Sequence, residues 1–224
     1  MNVLELSIEA ASDDTGVALS VGGVVGMVAT WITQRNHSVE LLPNIDRLLT
    51  EAERTKDDIG AIFVDVGPGG YAGLRVGVSI AKALAHGLSV PIVGVGRLEI
   101  DAWGVADQSA GRRIVAIHRA GRGEVAWAAY SVGPDAWREE LPPRISKLDA
   151  LHEAISADDA VTGDVDESLS EVVQRARARL VLPVQHRVVS LAALGHRRFA
   201  AGLLDDAITL VPMYLRAPAI GPQS

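Results

Sequence analysis

The residues most able to do chemistry lie in Gly67-Pro68-Gly69-Gly70-Tyr71-Ala72-Gly73-Leu74-Arg75-Val76-Gly77-Val78, directly after the apolar run Ile59–Val66. A strand that ends in a glycine turn and opens a helix points backbone N–H groups at the space over the helix start, where a phosphate can bind. The spacing departs from both standard versions of that site. A P-loop needs Gly-Lys-Ser/Thr, and here Gly73 is followed by Leu74 and Arg75. A dinucleotide fingerprint needs Gly-x-Gly-x-x-Gly and an acid at the end of the next strand. Gly67, Gly69 and Gly73 are spaced one residue too far, and Val95-Gly96-Arg97 carries no acid. Glu9, Gly69, Gly70 and Arg75 remain the candidates for contact with a nucleotide or another anion. Arg75 falls in the first helical turn, where the macrodipole disfavours a cation, so a carboxylate or other anion is expected to meet it.

The other chemical types are scattered. Glu9-Ala10-Ala11-Ser12 closes the first apolar run; Glu9 could carry a metal-bound water in a cleft, and a solvated or capping carboxylate is the favoured reading. The histidines, at 37, 86, 118, 152, 186 and 196, include no i, i+4 pair, so no metal site is expected. His37 opens a predicted helix and reads as a capping residue. Serines, histidines and acids are plentiful, but no Gly-x-Ser-x-Gly elbow marks a nucleophile. Arg175, Arg177, Arg179, Arg187, Arg197 and Arg198 fall in a stretch without acids, which could touch a nucleic-acid backbone; basic side chains on solvated helix faces are the favoured reading. No catalytic residue is assigned.

These residues need elements to position them. Gly73, Gly77, Ala81 and Ala85 recur every four residues and form a bare stripe along the helix running to Leu88. Each glycine inside a helix costs roughly 1 kcal/mol relative to alanine, so something must approach the stripe closely, either within the fold or on a partner. A helix over His37–Glu53 presents Leu41, Leu42, Ile45, Leu48 and Leu49 on one face. Together the two helices predict a subunit interface made of His37, Leu41, Leu42, Ile45, Leu48, Tyr71, Gly73, Leu74, Arg75, Gly77, Val78 and Ala81.

Upstream, Val3–Ile8 reads as a strand, and Gly22-Gly23 divides two β-branched runs into a hairpin. Thr15–Gln34 is uncharged and long enough to span a bilayer, but that glycine pair and the β-branched texture argue against a membrane helix. Pro91–Val95 and a helix over Leu98–Ala106 complete a β-β-β-α-β-α-β-α series, which predicts a mixed sheet in an α/β layer fold. Asp107-Gln108-Ser109-Ala110-Gly111 marks a boundary, giving an N-terminal lobe over 1–108 and a smaller α/β lobe over 109–224. The second half predicts strands at Arg113–Ile117, Val125–Val132, Arg138–Ile145 and Asp159–Thr162, then helices at Val165–Ala178 and Ser190–Leu204. A strand, hairpin and helices recur in both halves, which suggests two related lobes.

Composition narrows the function classes. Hydrophobic residues make up 48% of the 224 residues and charged residues 22%, the balance of a globular rather than a disordered chain. Aromatics at 4% argue against stacking platforms for single-stranded nucleic acid. A net charge of −7 opposes whole-surface attraction to nucleic acid or anionic membrane. Cysteine is absent, which removes disulfides, thiolate metal sites and a cysteine nucleophile, and fits a cytoplasmic protein.

The glycine stretch Gly67 to Gly77 resembles the Gly-Pro-Gly-Ser-Phe-Thr-Gly-Leu-Arg-Ile-Gly signature of the TsaB (YeaZ) family, which serves the bacterial synthesis of threonylcarbamoyladenosine on tRNA. The resemblance continues in Arg35-Asn36-His37-Ser38, Leu41-Leu42-Pro43, Pro91-Ile92-Val93-Gly94-Val95, Gly123-Glu124-Val125 with Trp127, and Pro212-Met213-Tyr214-Leu215-Arg216. It implies a two-lobed actin-like ATPase (ribonuclease-H-like) fold with mixed sheets and an abbreviated second lobe. It implies a non-catalytic subunit that dimerises with a TsaD-like transferase, acts beside a TsaE-like ATPase, and meets tRNA through the complex. A homodimer of the chain is a further partner expectation. No intrinsic cofactor is implied, with ATP or ADP at the subunit joint as the alternative. Two departures stand out: Glu9-Ala10-Ala11 replaces the family's Asp-Thr-Ser, and Arg119-Ala120-Gly121 replaces Asp-Ala-Arg. The alternatives are a nucleotide-dependent transferase or peptidase-like enzyme of the same superfamily, and a stand-alone homodimeric binding protein.

Overall fold

The computed structural model describes residues 3–33, 36–132 and 137–215. Its first strand, β1 (Leu4–Glu9), is flanked by the hairpin β2 (Asp14–Val21) and β3 (Val24–Ile32). Gly22 and Gly23 turn that hairpin with φ of 64° and 75°, the two positive angles that a tight two-residue loop demands. The uncharged stretch is therefore two strands, and no helix among the described residues is long and apolar enough to cross a membrane. After α1 (His37–Glu51), β4 (Ile59–Gly67) runs parallel to β1 on its other side. Then follow α2 (Tyr71–Leu88), β5 (Ile92–Gly96) and α3 (Arg97–Trp103). The sheet order is β3-β2-β1-β4-β5.

The second half repeats this plan strand for strand. β6 (Arg113–Gly121), β7 (Glu124–Val132) and β8 (Trp137–Lys147) form an antiparallel meander. After α4 (Leu148–Ala154), β9 (Asp159–Gly163) lies parallel to β6; after α5 (Glu167–Arg175), the short β10 (Arg179–Leu180) lies parallel to β9. The order β8-β7-β6-β9-β10 is the first sheet's order over again. β10 has two residues, too short for a periodic signal, and its strand character was not expected from sequence.

Strand alternation gives the first sheet two buried faces. Leu6, Ile8, Ile62 and Val64 meet Leu41, Ile45 and Leu48 of α1 and Val78 and Ala81 of α2. On the other face Ala61 and Phe63 meet Leu191 and Leu194 of α6 (Arg187–Ala200) and Ile100 of α3. α3 lies between the sheets, because its Leu98 and Ala102 belong to the core of Ile114, Ala116, Ala128, Tyr130 and Ala160. The chain from 187 on thus returns to the first lobe, although the boundary near residue 108 places it in the second. Gly195 permits the return: a side chain there would strike the Phe63 ring. Further on, Asp205 bridges to Ile92, Lys82 Nζ donates to the carbonyls of Ile208 and Leu210, and Met213 N donates to Val66 O.

Candidate functional site

The bare stripe of α2 faces the chain itself. A methyl group on Gly73 would overlap the Ala10 carbonyl oxygen and lie 2.9 Å from His37 Nε2; one on Gly77 would lie 3.0 Å from Ala10 Cβ. The close neighbour is the turn after β1 rather than a partner. His37, Leu41, Ile45, Leu48, Gly73, Leu74, Gly77, Val78 and Ala81 are all buried among the chain's own atoms, which corrects their assignment to a subunit interface. Of that set, Leu42 (48% exposed), Tyr71 (47%) and Arg75 remain at the surface, beside the exposed Val39 of α1. His37 does not cap: its Nε2 lies 3.2 Å from Ser12 O and ties α1 to the β1 turn.

The glycine turn likewise packs against the chain itself. Gly70 N donates to Ala11 O at 2.7 Å, and a side chain on Gly69 would strike the same carbonyl. One backbone donor of the turn, Gly70 N, is thus used by the chain. Among the described residues Arg75 meets no carboxylate; its Nη1 donates to the Tyr71 hydroxyl at 2.6 Å, and the guanidinium lies over the Tyr71 ring, which in turn packs on Tyr214. A tilted pair of rings and a cation over one of them satisfy Arg75 without an anion. Arg35 and Arg216, both part of the family resemblance, lie outside the described residues.

Glu9 is neither solvated nor open to a cleft. It is 2% exposed, and its Oε1 accepts from Ala11 N at 2.9 Å. Because Ile8 pairs with Val64 on a parallel strand, the next residues, Glu9 and Asp65, project side by side toward α3 and α6. Ile117 pairs with Gly163 in the second sheet, so the next residues there, His118 and Asp164, are the structural counterparts of Glu9 and Asp65. His118 Nδ1 lies 2.6 Å from Asp164 Oδ2.

Two arginines join the pairs. Arg97 of α3 donates to Asp164 at 2.9 Å, and its Nε lies 3.6 Å from Asp101. Arg187 of α6 donates to Asp101 at 2.6 Å and approaches Asp164 at 3.5 Å. Burial, then the neighbouring Asp65, push the Glu9 carboxyl up to about 8 against the pull of Arg187 and Arg97. Burial pushes Asp65 up to about 7, opposed by the bond from Gly67 N and by Arg97. Partial burial would raise Asp164 too, but the bond from His118 and the charges of Arg97 and Arg187 outweigh it and hold the carboxyl down at about 2.

This joint was missed from sequence, and one signal was present: Asp65 is a lone acid inside a buried apolar strand, which demands a partner. The basic run was misread in part. Arg187 serves the joint, Arg198 pairs with Glu99 and donates to Gly94 O, and the exposed Arg197 stacks over Trp103, so two of the six are engaged in ion pairs of the fold and a third lies over a ring at the surface. Arg119 bonds Asp166 and Ser168 across the second sheet. No group of three metal-ligating side chains lies together among the described residues. Ser20, Glu5 and His196 do meet, but Ser20 Oγ and His196 Nδ1 both bond the Glu5 carboxylate, at 2.6 and 2.7 Å. The hydroxyl is buried and not on the imidazole, so this is a structural link from α6 to the sheet rather than an activated nucleophile.

Two sheets of identical order, with crossing helices and a pair of titratable strand-end residues from each between them, define a two-lobed actin-like (ribonuclease-H-like) α/β protein. Residues 8–180 match the family model of TsaD, tRNA N6-adenosine threonylcarbamoyltransferase. The chain is 31% identical to tRNA threonylcarbamoyladenosine biosynthesis protein TsaB of Bacillus subtilis (strain 168), over 94% of this chain and 93% of that protein. It is 32% identical to the protein of the same description from Escherichia coli (strain K12), over 66% of this chain; the match spans 64% of that relative's length. The fold is shared with a Pseudomonas aeruginosa crystal structure of an uncharacterized protein with similarity to peptidase YEAZ, at a TM-score of 0.80 and 24% identity over 96% of this chain and 100% of that one. The chain belongs to the TsaB family.

Proposed function

We propose that this protein serves the synthesis of threonylcarbamoyladenosine on tRNA as a non-catalytic subunit, pairing with a TsaD-like transferase that carries out the transfer to adenosine 37. The B. subtilis relative, matched over nearly its whole length, is described as a biosynthesis protein for that nucleoside. The observation that carries the non-catalytic half is the packing of the glycine turn between β4 and α2 against the turn that follows β1. Where a nucleotide phosphate would approach, Gly70 N is bonded to Ala11 O, Gly69 lies against the same carbonyl, and Glu9 is sealed beneath. A transferase needs its electrostatic groups aimed at the reacting atoms, and these groups are aimed at one another.

The partner surface we assign is the exposed remainder of α1 and α2: Val39 and Leu42 with Tyr71, Ala72 and Arg75. It abuts a pocket of about 380 Å³ lined by Ser12, Asp13, His37, Gly70, Tyr71 and Ala72. ATP or ADP, if it enters the complex, belongs at this joint with the partner rather than inside the chain. A TsaE-like ATPase would join the complex, and tRNA would be met through it. The test is to mix the purified protein with the TsaD-like transferase and follow both on a sizing column. Co-elution that Leu42→Asp abolishes supports the assignment. Separate elution of the native proteins, or co-elution unchanged by Leu42→Asp, rejects the pairing or the surface respectively.

A further inference from the structure

The joint between the lobes holds more negative than positive groups. Glu9 on β1, Asp65 on β4, Asp101 on α3 and Asp164 after β9 face the two guanidiniums of Arg97 on α3 and Arg187 on α6, with His118 on β6, whose imidazole carries charge only when protonated. Four buried or half-buried carboxylates cannot all ionise against two fixed cations without a large desolvation cost. The bonds show where the cations have gone. Arg97 and Arg187 are held by Asp164 and Asp101, whereas Glu9 and Asp65 are bonded only from backbone N–H groups, Ala11 N and Gly67 N. Asp65 Oδ2 is buried and has no hydrogen-bond partner, while Arg97 Nε and Asp101 Oδ2 face each other at 3.6 Å, beyond hydrogen-bond distance, so the joint holds one unmatched acceptor beside a loosely held guanidinium that a second pairing can take. Asp164 is the exposed edge of the cluster, 32% accessible, and it is the acid contributed by the second sheet.

We propose that this joint is a proton-linked clamp. While Glu9 and Asp65 are protonated, Arg97 and Arg187 are engaged by Asp164 and Asp101 and hold the second sheet against α3 and α6. When those protons leave to solvent, the carboxylates at the ends of β1 and β4 compete for the same guanidiniums and the second lobe loosens. The internal repeat gives the device its asymmetry. The counterpart pair in the second lobe, His118 and Asp164, is complementary, and the pair in the first lobe is acid on acid.

Hydrogen exchange of the native protein at about pH 6 and about pH 9, corrected for intrinsic rates, reads the clamp directly. Protection of α3 and of the first turns of α6 should fall by about tenfold or more between the two conditions, relative to α1, which packs on the opposite face of the first sheet. In Glu9→Gln/Asp65→Asn, which keeps shape and removes both charges, the fall should vanish. If the double variant does not fold, Glu9→Gln alone should reduce the fall. In Asp164→Asn protection should be low in both conditions. Equal protection of the native joint at both values, or a fall that survives in the charge-free variant, overturns the clamp.

Discussion

The contact between α2 and the β1 turn can be tested by one atom pair. In Gly73→Ala the new methyl group overlaps the Ala10 carbonyl oxygen and sits 2.9 Å from His37 Nε2, and neither neighbour is the free end of a flexible side chain. Overpacking of this kind costs about 1–3 kcal/mol. Alanine returns up to about 1 kcal/mol of helix propensity, less in the first turn where Gly73 lies. The net loss is about 1–2 kcal/mol, or roughly 2–8 °C in Tm for a chain of this size. Gly77→Ala is the control. Its methyl group meets Ala10 Cβ at 3.0 Å and otherwise only Ile8 Cγ2 at 3.9 Å, so a small adjustment offsets the propensity gain and Tm should hold within about 2 °C. Thermal unfolding followed by circular dichroism, with urea titration as a second measure, reads both. A Gly73→Ala variant as stable as the native protein would refute the internal contact and return the stripe to a partner.

Other expectations follow from the joint and the core. Arg187→Met leaves Asp101 buried without its nearest cation, and loss of one member of a buried pair costs about 3–5 kcal/mol, readable as a lowered urea midpoint. Because the Glu9 and Asp65 carboxyls are raised, the native state binds more protons than the unfolded chain. Stability should therefore fall as pH rises from the ordinary carboxylate range toward about 8, with a slope of about 1.4 kcal/mol per pH unit for each proton held. Glu9→Gln should flatten that slope in urea midpoints measured across the window. Asp164 works in the opposite sense: its lowered carboxyl contributes stability at neutral pH that is lost as pH falls through the usual carboxylate range toward about 2. Direct tRNA binding should be weak, with a shallow salt slope, because Arg187 and Arg198 are engaged in ion pairs of the fold and few cations are left for phosphates. Tight binding with a steep salt slope in a filter assay would contradict this.

Much of the first lobe could be read from local signals. Gly22-Gly23 announced its hairpin, the apolar period over His37–Glu53 the helix that the structure ends at Glu51, and the glycine stripe its close approach. The stripe could not announce what approaches it, because a backbone turn and a partner helix demand the same small residues. Burial settled that, since the turn at Ala10-Ala11 lies more than fifty residues away in sequence and no periodicity links the two. The joint was illegible for a similar reason. Glu9, Asp65, Asp101, Asp164 and Arg187 come from five separate elements, and their meeting depends on the repeat of sheet order, which leaves no countable sequence repeat. The return of α6 to the first sheet was hidden by chain order, since its apolar face is compatible with either lobe.

The central claim is that this chain enables a reaction it does not itself catalyse. Its most direct test is incorporation of labelled threonine into tRNA by the TsaD-like transferase in a reconstituted reaction, with and without this protein. Incorporation should depend on the protein, should persist in Glu9→Gln, and should fail in Leu42→Asp. Full incorporation without the protein, or loss of incorporation in a folded Glu9→Gln variant that still binds the transferase, would contradict the account.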